Sequence, residues 1–238
     1  MTPDTLPPAL LLDLDDTILD DSLGMAMWGR VVMRYASEVA PISASDLTAA
    51  IQRSRDWYWS DSERYRAGVL ALDVARQTIV TTALIELGME GRDDLAQRIA
   101  TDYSAMRDAA MRPLPGALDT LARLRKRGVR MGLITNGAGE AQRRKVERFG
   151  LAQWFEVIVI EGEFGCGKPD ERVYHHALAA LQAIPESAWM VGDNLENDVL
   201  APQRLGVTGI WVNPTGRALP PDAPERPSRV IRALAELV

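Results

Sequence analysis

The stretch Leu10-Leu11-Leu12-Asp13-Leu14-Asp15-Asp16-Thr17 decides how this chain is read. Three consecutive leucines with no polar alternation predict a strand buried on both faces, as in the interior of a parallel sheet. The apolar run stops on carboxylates. Asp13 and Asp15 are two residues apart, so an extended backbone points both to the same side. Like charges that close repel, and one is driven toward its protonated form unless a cation lies between them. An acidic turn capping the next helix is the plainer reading of Asp-Asp-Thr, and the octet taken alone leaves it open.

Size and composition narrow the choice. A chain of 238 residues, 47% hydrophobic, can bury one large core or two modest ones. A net charge of -6 argues against a nucleic-acid polymer as partner, since such binders carry a basic excess. No apolar run approaches the roughly 20 residues of a membrane helix. Met1 to Pro8 has neither a basic nor an apolar segment and reads as a loose leader, not a secretory signal. A single cysteine, Cys166, excludes an internal disulfide and fits a reducing cytoplasm. Adjacent His175 and His176 cannot supply a histidine-rich zinc site. Any bound metal would therefore take mostly oxygen ligands, which favours Mg²⁺. No feature of the sequence sets an oligomeric state.

From Asp20 to about Met111 the pattern is helical. Met25, Trp28, Val32 and Tyr35 recur at spacings of three and four. Pro41 ends that helix, and Ser43 or Ser45 can cap a second one carrying Leu47, Ile51 and Ser54. Asp73 opens a third, through Ile79, Ala83 and Leu87, that Gly88 stops. Asp93 or Asp94 opens a fourth, with Leu95, Ile99 and Met106 in register. The segment Trp57 to Arg66, rich in aromatics and arginine, has two readings. One is aromatic core with a solvated charged turn. The other is a lip that meets substrate, with Trp59 and Arg64 as specificity candidates.

After Arg112 strands alternate with helices. Strands are predicted over Val129–Ile134, Val157–Ile160, Ala188–Val191, Gly209–Val212 and Arg229–Ile231, with helices over 117–127, 139–149, 171–182 and about 197–205. This alternation predicts an α/β fold: a Rossmann-like, doubly wound parallel sheet, residues 1–19 and 112–238, with a four-helix insert over 20–111. Ligands in such sheets bind beyond the carboxyl ends of the strands. Asp13, Asp15, Thr135, Asn136 and Asp193 all fall there. Independent caps and turns have no reason to gather at one edge of one sheet.

The ordered motifs resemble the haloacid dehalogenase superfamily of phosphohydrolases. Asp13-Leu14-Asp15-Asp16-Thr17 is similar to its first motif, Asp-x-Asp-x-Thr. Thr135 after Gly132-Leu133-Ile134 is similar to the second, and Lys168 in Gly167-Lys168-Pro169-Asp170 to the third. Gly192-Asp193 with Asp198 resembles the fourth. The helical insert after the first motif matches the subfamily whose mobile cap enters there and closes over the site. Thr135-Asn136-Gly137, Gln142-Arg143 and Met190-Val191-Gly192-Asp193 look similar to the branch of pyrimidine nucleotidases and acylneuraminate-9-phosphate phosphatases.

The resemblance implies a Mg²⁺-dependent phosphomonoesterase on a small phosphorylated metabolite, a nucleotide, sugar phosphate or similar. Asp13 would be the nucleophile and Asp15 the general acid and base. Asp13, Asp193 and the backbone carbonyl of Asp15 would hold the metal, with Asp198 supporting its shell through water. Thr135 and Asn136 would donate to the phosphoryl oxygens, and Lys168 would bridge Asp13 and the phosphate. A dehalogenase needs the nucleophile but no acid for an alkoxide, so Asp15 and Asp193 argue against it. A phosphomutase shares the first motif. A non-catalytic binding or regulatory protein on the same scaffold is the rival from another class.

Overall fold

The computed structural model describes residues 6–21, 24–221 and 225–238. The expected leader before residue 6 and the expected place of the Met25 side chain lie outside the described residues. The chain divides into two compact units, Asp21–Met111 and the joined segments Met1–Asp20 and Arg112–Val238.

The first unit is helical: α1 (Gly24–Arg34), α2 (Ala44–Ser60), α3 (Ser62–Leu70), α4 (Leu72–Glu86) and α5 (Asp93–Ala110). Residues spaced by three and four turn inward, as Trp28, Val31 and Val32 do on α1 and Leu47, Ile51 and Tyr58 on α2. Trp28 stacks on Tyr103 of α5 with ring centroids 3.7 Å apart. Ser43 caps α2 by accepting from the Asp46 N–H at 3.0 Å. The insert thus has five helices among the described residues rather than the four expected. The difference lies in the aromatic segment after Trp57. Asp61 ends α2 and at once caps α3, accepting from the Glu63 and Arg64 N–H groups at 3.1 and 2.9 Å. The chain changes direction and stays helical, where the sequence suggested a turn.

The second unit is built on β1 (Ala9–Leu12), β2 (Leu19–Asp20), β3 (Arg112–Pro113), β4 (Arg130–Thr135), β5 (Val157–Ile160), β6 (Ala188–Gly192), β7 (Thr208–Val212) and β8 (Arg229–Ile231). Its helices are α6 (Ala117–Lys126), α7 (Gly139–Arg148), the single turn α8 (Glu161–Phe164), α9 (Glu171–Ala180) and α10 (Ala201–Arg204). Six strands form one parallel sheet in the order β5-β4-β1-β6-β7-β8. This is the α/β architecture that the strand–helix alternation predicts. Leu10, Leu11 and Leu12 are wholly buried, because β1 has a strand on each side and helices cover both faces. β2 and β3 form a separate antiparallel pair where the chain leaves for residue 21 and returns at residue 112.

The strand order fixes where a site can form. From β1 the chain winds outward through β4 and β5, then crosses back to build β6, β7 and β8 on the other side. The reversal leaves a crevice beyond the carboxyl end of β1, the place where open α/β sheets bind ligands. Leu12 pairs with Leu133 on one side and Val191 on the other. The Asp13 N–H continues the pairing by one bond, to the Val191 carbonyl at 3.0 Å. Asp13 is thereby seated between the ends of β4 and β6.

Candidate active site

Beyond β1 the backbone makes a tight loop. The Ile18 and Leu19 N–H groups both donate to the Leu14 carbonyl, and Asp16 donates to Leu19 at 2.7 Å. Closing the loop puts Asp16 at φ 57°, a left-handed conformation that Asp tolerates better than most residues. The loop returns the chain sharply and presents Asp13 and Asp15 at its base.

Lys168, at the turn before α9, joins the acids. Its Nζ donates to Asp13 Oδ1 at 2.7 Å and to Asp198 Oδ1 at 2.6 Å. Only 3% of the Lys168 side chain is exposed, so a solvated loop lysine is excluded. Asn136, just past β4, fastens the lysine's backbone: its amide nitrogen donates to the Lys168 carbonyl at 2.7 Å and its oxygen accepts from the Lys168 N–H at 2.8 Å.

Asp198 comes from a wide π turn, Leu195–Leu200, which Asn194 caps through the Asn197 N–H. Such turns occur often at functional sites because the extra residue re-aims a side chain. Asp198 is fully buried, and its second oxygen accepts from the Asn194 N–H at 2.9 Å. Tyr174 of α9 pins the turn from below by donating to the Asn197 carbonyl. Asp193 follows β6, its carbonyl held by Trp211 Nε1 at 2.9 Å and by Arg217 at 3.2 Å.

One carboxylate oxygen from each of Asp13, Asp193 and Asp198 lies within 4.8 Å of the others. Three acids therefore face one buried lysine, and the electrostatics record the imbalance. Burial pushes the Asp13 carboxyl up to about 8; Lys168 pulls it back only in part, while Asp198 and Asp193 push it further. Burial, with Asp198 and Asp16, also raises Asp193 to about 7. Burial opposes the charge on Lys168, yet Asp13 and Asp198 outweigh it and hold the ammonium well above its ordinary range. An all-carboxylate donor set short of positive charge is what a hard divalent cation fits.

Asp15 lies apart from that cluster. Its carboxylate accepts from Lys145 Nζ at 2.8 and 2.7 Å and from Gln142 Nε2 at 2.9 Å, both side chains of α7. Gln142 also donates to Thr135 Oγ1 at 2.5 Å. Lys145 belongs to none of the sequence motifs. The available signal was its place three residues after Gln142, on one face of a helix that opens just past β4.

Trp59 and Arg64 belong to the helical unit and have partners there. Trp59 meets the rings of Tyr58 and Tyr65 edge-on. Arg64 lies over the Trp57 ring at 4.0 Å and donates to the Trp57 and Tyr58 carbonyls at the end of α2. Cys166 is half-buried, and His175 and His176 are exposed on α9.

The family model of the haloacid dehalogenase-like hydrolases matches residues 7–206. The chain belongs to this family. It is 34% identical over 234 residues to a phosphoserine phosphatase of Thermus thermophilus, covering 91% of each chain. Over 109 residues, 45% of this chain and 48% of the other, it is 36% identical to the pyrimidine 5'-nucleotidase YjjG of Escherichia coli. The solved structure of the HAD-hydrolase YfnB of Bacillus subtilis, bound to magnesium, shares the fold with a TM-score of 0.74 and 24% identity, over 98% of this chain and 97% of that one. The chain is thus a hydrolase of the haloacid dehalogenase family whose matched relatives include named phosphatases. No helix among the described residues is long and apolar enough to cross a membrane.

Proposed function

We propose that the chain is a Mg²⁺-dependent phosphomonoesterase acting on a small phosphorylated metabolite, working in the reducing cytoplasm that an unpaired Cys166 suits. The observation that carries this reading is the buried cluster in which Lys168 bonds Asp13 and Asp198 while Asp193 completes a triad of carboxylates. A phosphate ester and a carboxylate nucleophile are both anions, so attack requires that charge be cancelled first. Asp13, Asp193 and the Asp15 backbone carbonyl would hold Mg²⁺, and the ion when bound supplies that cancellation. Asp198, both of whose oxygens already accept hydrogen bonds, supports the site from beneath.

The residues then divide the work. A carboxylate oxygen of Asp13 bonds to phosphorus as the ester P–O bond breaks, giving an aspartyl-phosphate. Asp15 passes its proton to the departing alcohol oxygen. It next takes a proton from the water that attacks the phosphoryl group, which frees inorganic phosphate and restores Asp13. Lys168 keeps Asp13 aimed and its charge balanced. The Thr135 hydroxyl and the Asn136 main-chain N–H face the phosphoryl oxygens, since the Asn136 amide is engaged by Lys168. Asp15 and the acid triad favour this reading over dehalogenation, which has no alkoxide to protonate.

The test is phosphate release from an aryl phosphate and from a screen of phosphoserine, pyrimidine nucleotides and sugar phosphates. Wild type and Asp13→Asn are compared, each with Mg²⁺ and with chelator. Metal-dependent turnover that Asp13→Asn abolishes is expected. Absence of both turnover and Mg²⁺ binding in the wild type would overturn the proposal. Transfer of phosphate back to the substrate, without release, would establish a mutase instead.

A further inference from the structure

We propose that Lys145 and Gln142 are positioning residues for Asp15. The proposal rests on the phosphatase reading for Asp15's role and adds two residues to it. Three contacts from two side chains, at 2.7, 2.8 and 2.9 Å, converge on one carboxylate. Lys145 reaches both oxygens and Gln142 one of them, so the carboxylate can turn about neither of its side-chain bonds without breaking a contact. Asp13, by comparison, meets Lys168 through a single oxygen.

Burial shows that these are not ordinary surface side chains. Gln142 is 3% exposed, and 11% of the Lys145 side chain reaches solvent. A lysine on an amphipathic helix normally extends its ammonium into water. Burying it beside a carboxylate forfeits hydration and is retained only where the pairing is well made. α7 also has a salt-bridging surface of its own, where Arg144 meets Glu140 and Arg143 meets Glu163. Lys145 is the basic residue of that run turned to the site.

Gln142 extends the control to a second group. One amide nitrogen donates to Asp15 Oδ2 and to Thr135 Oγ1. The hydroxyl that faces phosphate and the carboxylate that faces the leaving oxygen are thus referred to one atom on one rigid helix. Two lysines divide the acids of the first motif: Lys168 serves the nucleophile and Lys145 the residue that handles protons. This separation keeps two like charges, two residues apart, from competing for one cation.

A residue that merely stabilises α7 would lower activity on all esters alike. A residue that aims Asp15 should matter most where the leaving oxygen needs a proton. Lys145→Met, Gln142→Leu and Lys145→Arg are therefore compared with wild type on p-nitrophenyl phosphate, whose leaving group departs unaided, and on phosphoserine, whose alkoxide does not. Lys145→Met is expected to lose about tenfold more kcat on phosphoserine than on the aryl ester, with KM little changed, and Lys145→Arg to recover most of it. Gln142→Leu, which keeps the side-chain volume, should show the same selective loss and decides the matter if Lys145→Met does not fold. Crystal structures of the variants give a readout independent of turnover: the Asp15 carboxylate should leave its place against α7. Equal losses on both esters, or an unmoved Asp15, would overturn the proposal. If wild type hydrolyses neither ester, the same comparison is made on an alkyl ester that the wider screen finds; if it hydrolyses none and binds no Mg²⁺, the phosphatase reading fails, and the position of Asp15 in the variant crystals still decides this one.

Discussion

Gly192 lies directly against Asp198: a β-carbon at residue 192 would stand 2.2 Å from Asp198 Oδ2. No side chain fits there without moving a wholly buried carboxylate that holds Lys168. Gly192→Ala is therefore expected to destabilise the fold by about 1–3 kcal/mol through overpacking. Displacing the lysine should lower kcat by roughly a hundredfold. Urea unfolding and steady-state kinetics check the two parts, and a variant with normal kcat would show that Asp198 can shift without consequence.

Asp198→Asn isolates the charge from the shape. The carboxylate accepts from Lys168 with one oxygen and from the Asn194 N–H with the other. An asparagine has one acceptor, so its NH₂ must face a donor whichever way it turns. The expected result is a loss of about 10–100-fold in Mg²⁺ affinity, the usual range for residues that support metal ligands. Titration calorimetry measures it directly, and an unchanged affinity would remove Asp198 from the metal site.

The acid cluster also predicts a pH dependence for the metal-free protein. Asp13 and Asp193 are raised from 3.8 to about 8 and about 7. Between those limits the folded chain binds more protons than the unfolded one. Their contribution to stability is then fully present below about pH 4 and is lost as pH rises through 7 to 8. In chelator, the melting temperature should fall from about pH 5 to about pH 8.5, and added Mg²⁺ should raise it more at the alkaline end. A metal-induced rise that is the same at both ends would contradict the assigned crowding of charge.

Tyr174→Phe tests the support of the π turn. The hydroxyl donates to the Asn197 carbonyl from a ring that is wholly buried. Its removal leaves that carbonyl without this donor and should cost about 1–3 kcal/mol. Because the same turn carries Asp198, kcat should fall as well, by less than in Gly192→Ala. Loss of stability with no kinetic effect would show that the turn keeps its shape without the anchor.

Much of this architecture is legible from residue pattern because its signals are local. The apolar run Leu10–Leu12 ending on Asp13 marks a central strand, and the strands Val157–Ile160 and Arg229–Ile231 fall where the pattern puts them. The α3 helix was not legible, since Ser60-Asp61-Ser62 carries the composition of a turn and only the geometry shows Asp61 capping a new helix. The π turn reads as the start of an α-helix, and the close approach of its Asp198 to Gly192 is a contact made by folding. Lys145 was hidden for a similar reason. Its face on α7 follows from spacing, but its partner lies 130 positions away and is chosen by how the helix packs.

The paired hydrogen bonds between Asn136 and the backbone of Lys168 have a mechanical consequence. They stitch the loop after β4 to the turn before α9, so the two segments must travel as one part. A loop after β4 without an asparagine at position 136 would leave the Lys168 N–H and carbonyl without these partners, so the placement of a buried cation depends on a side chain 32 positions away.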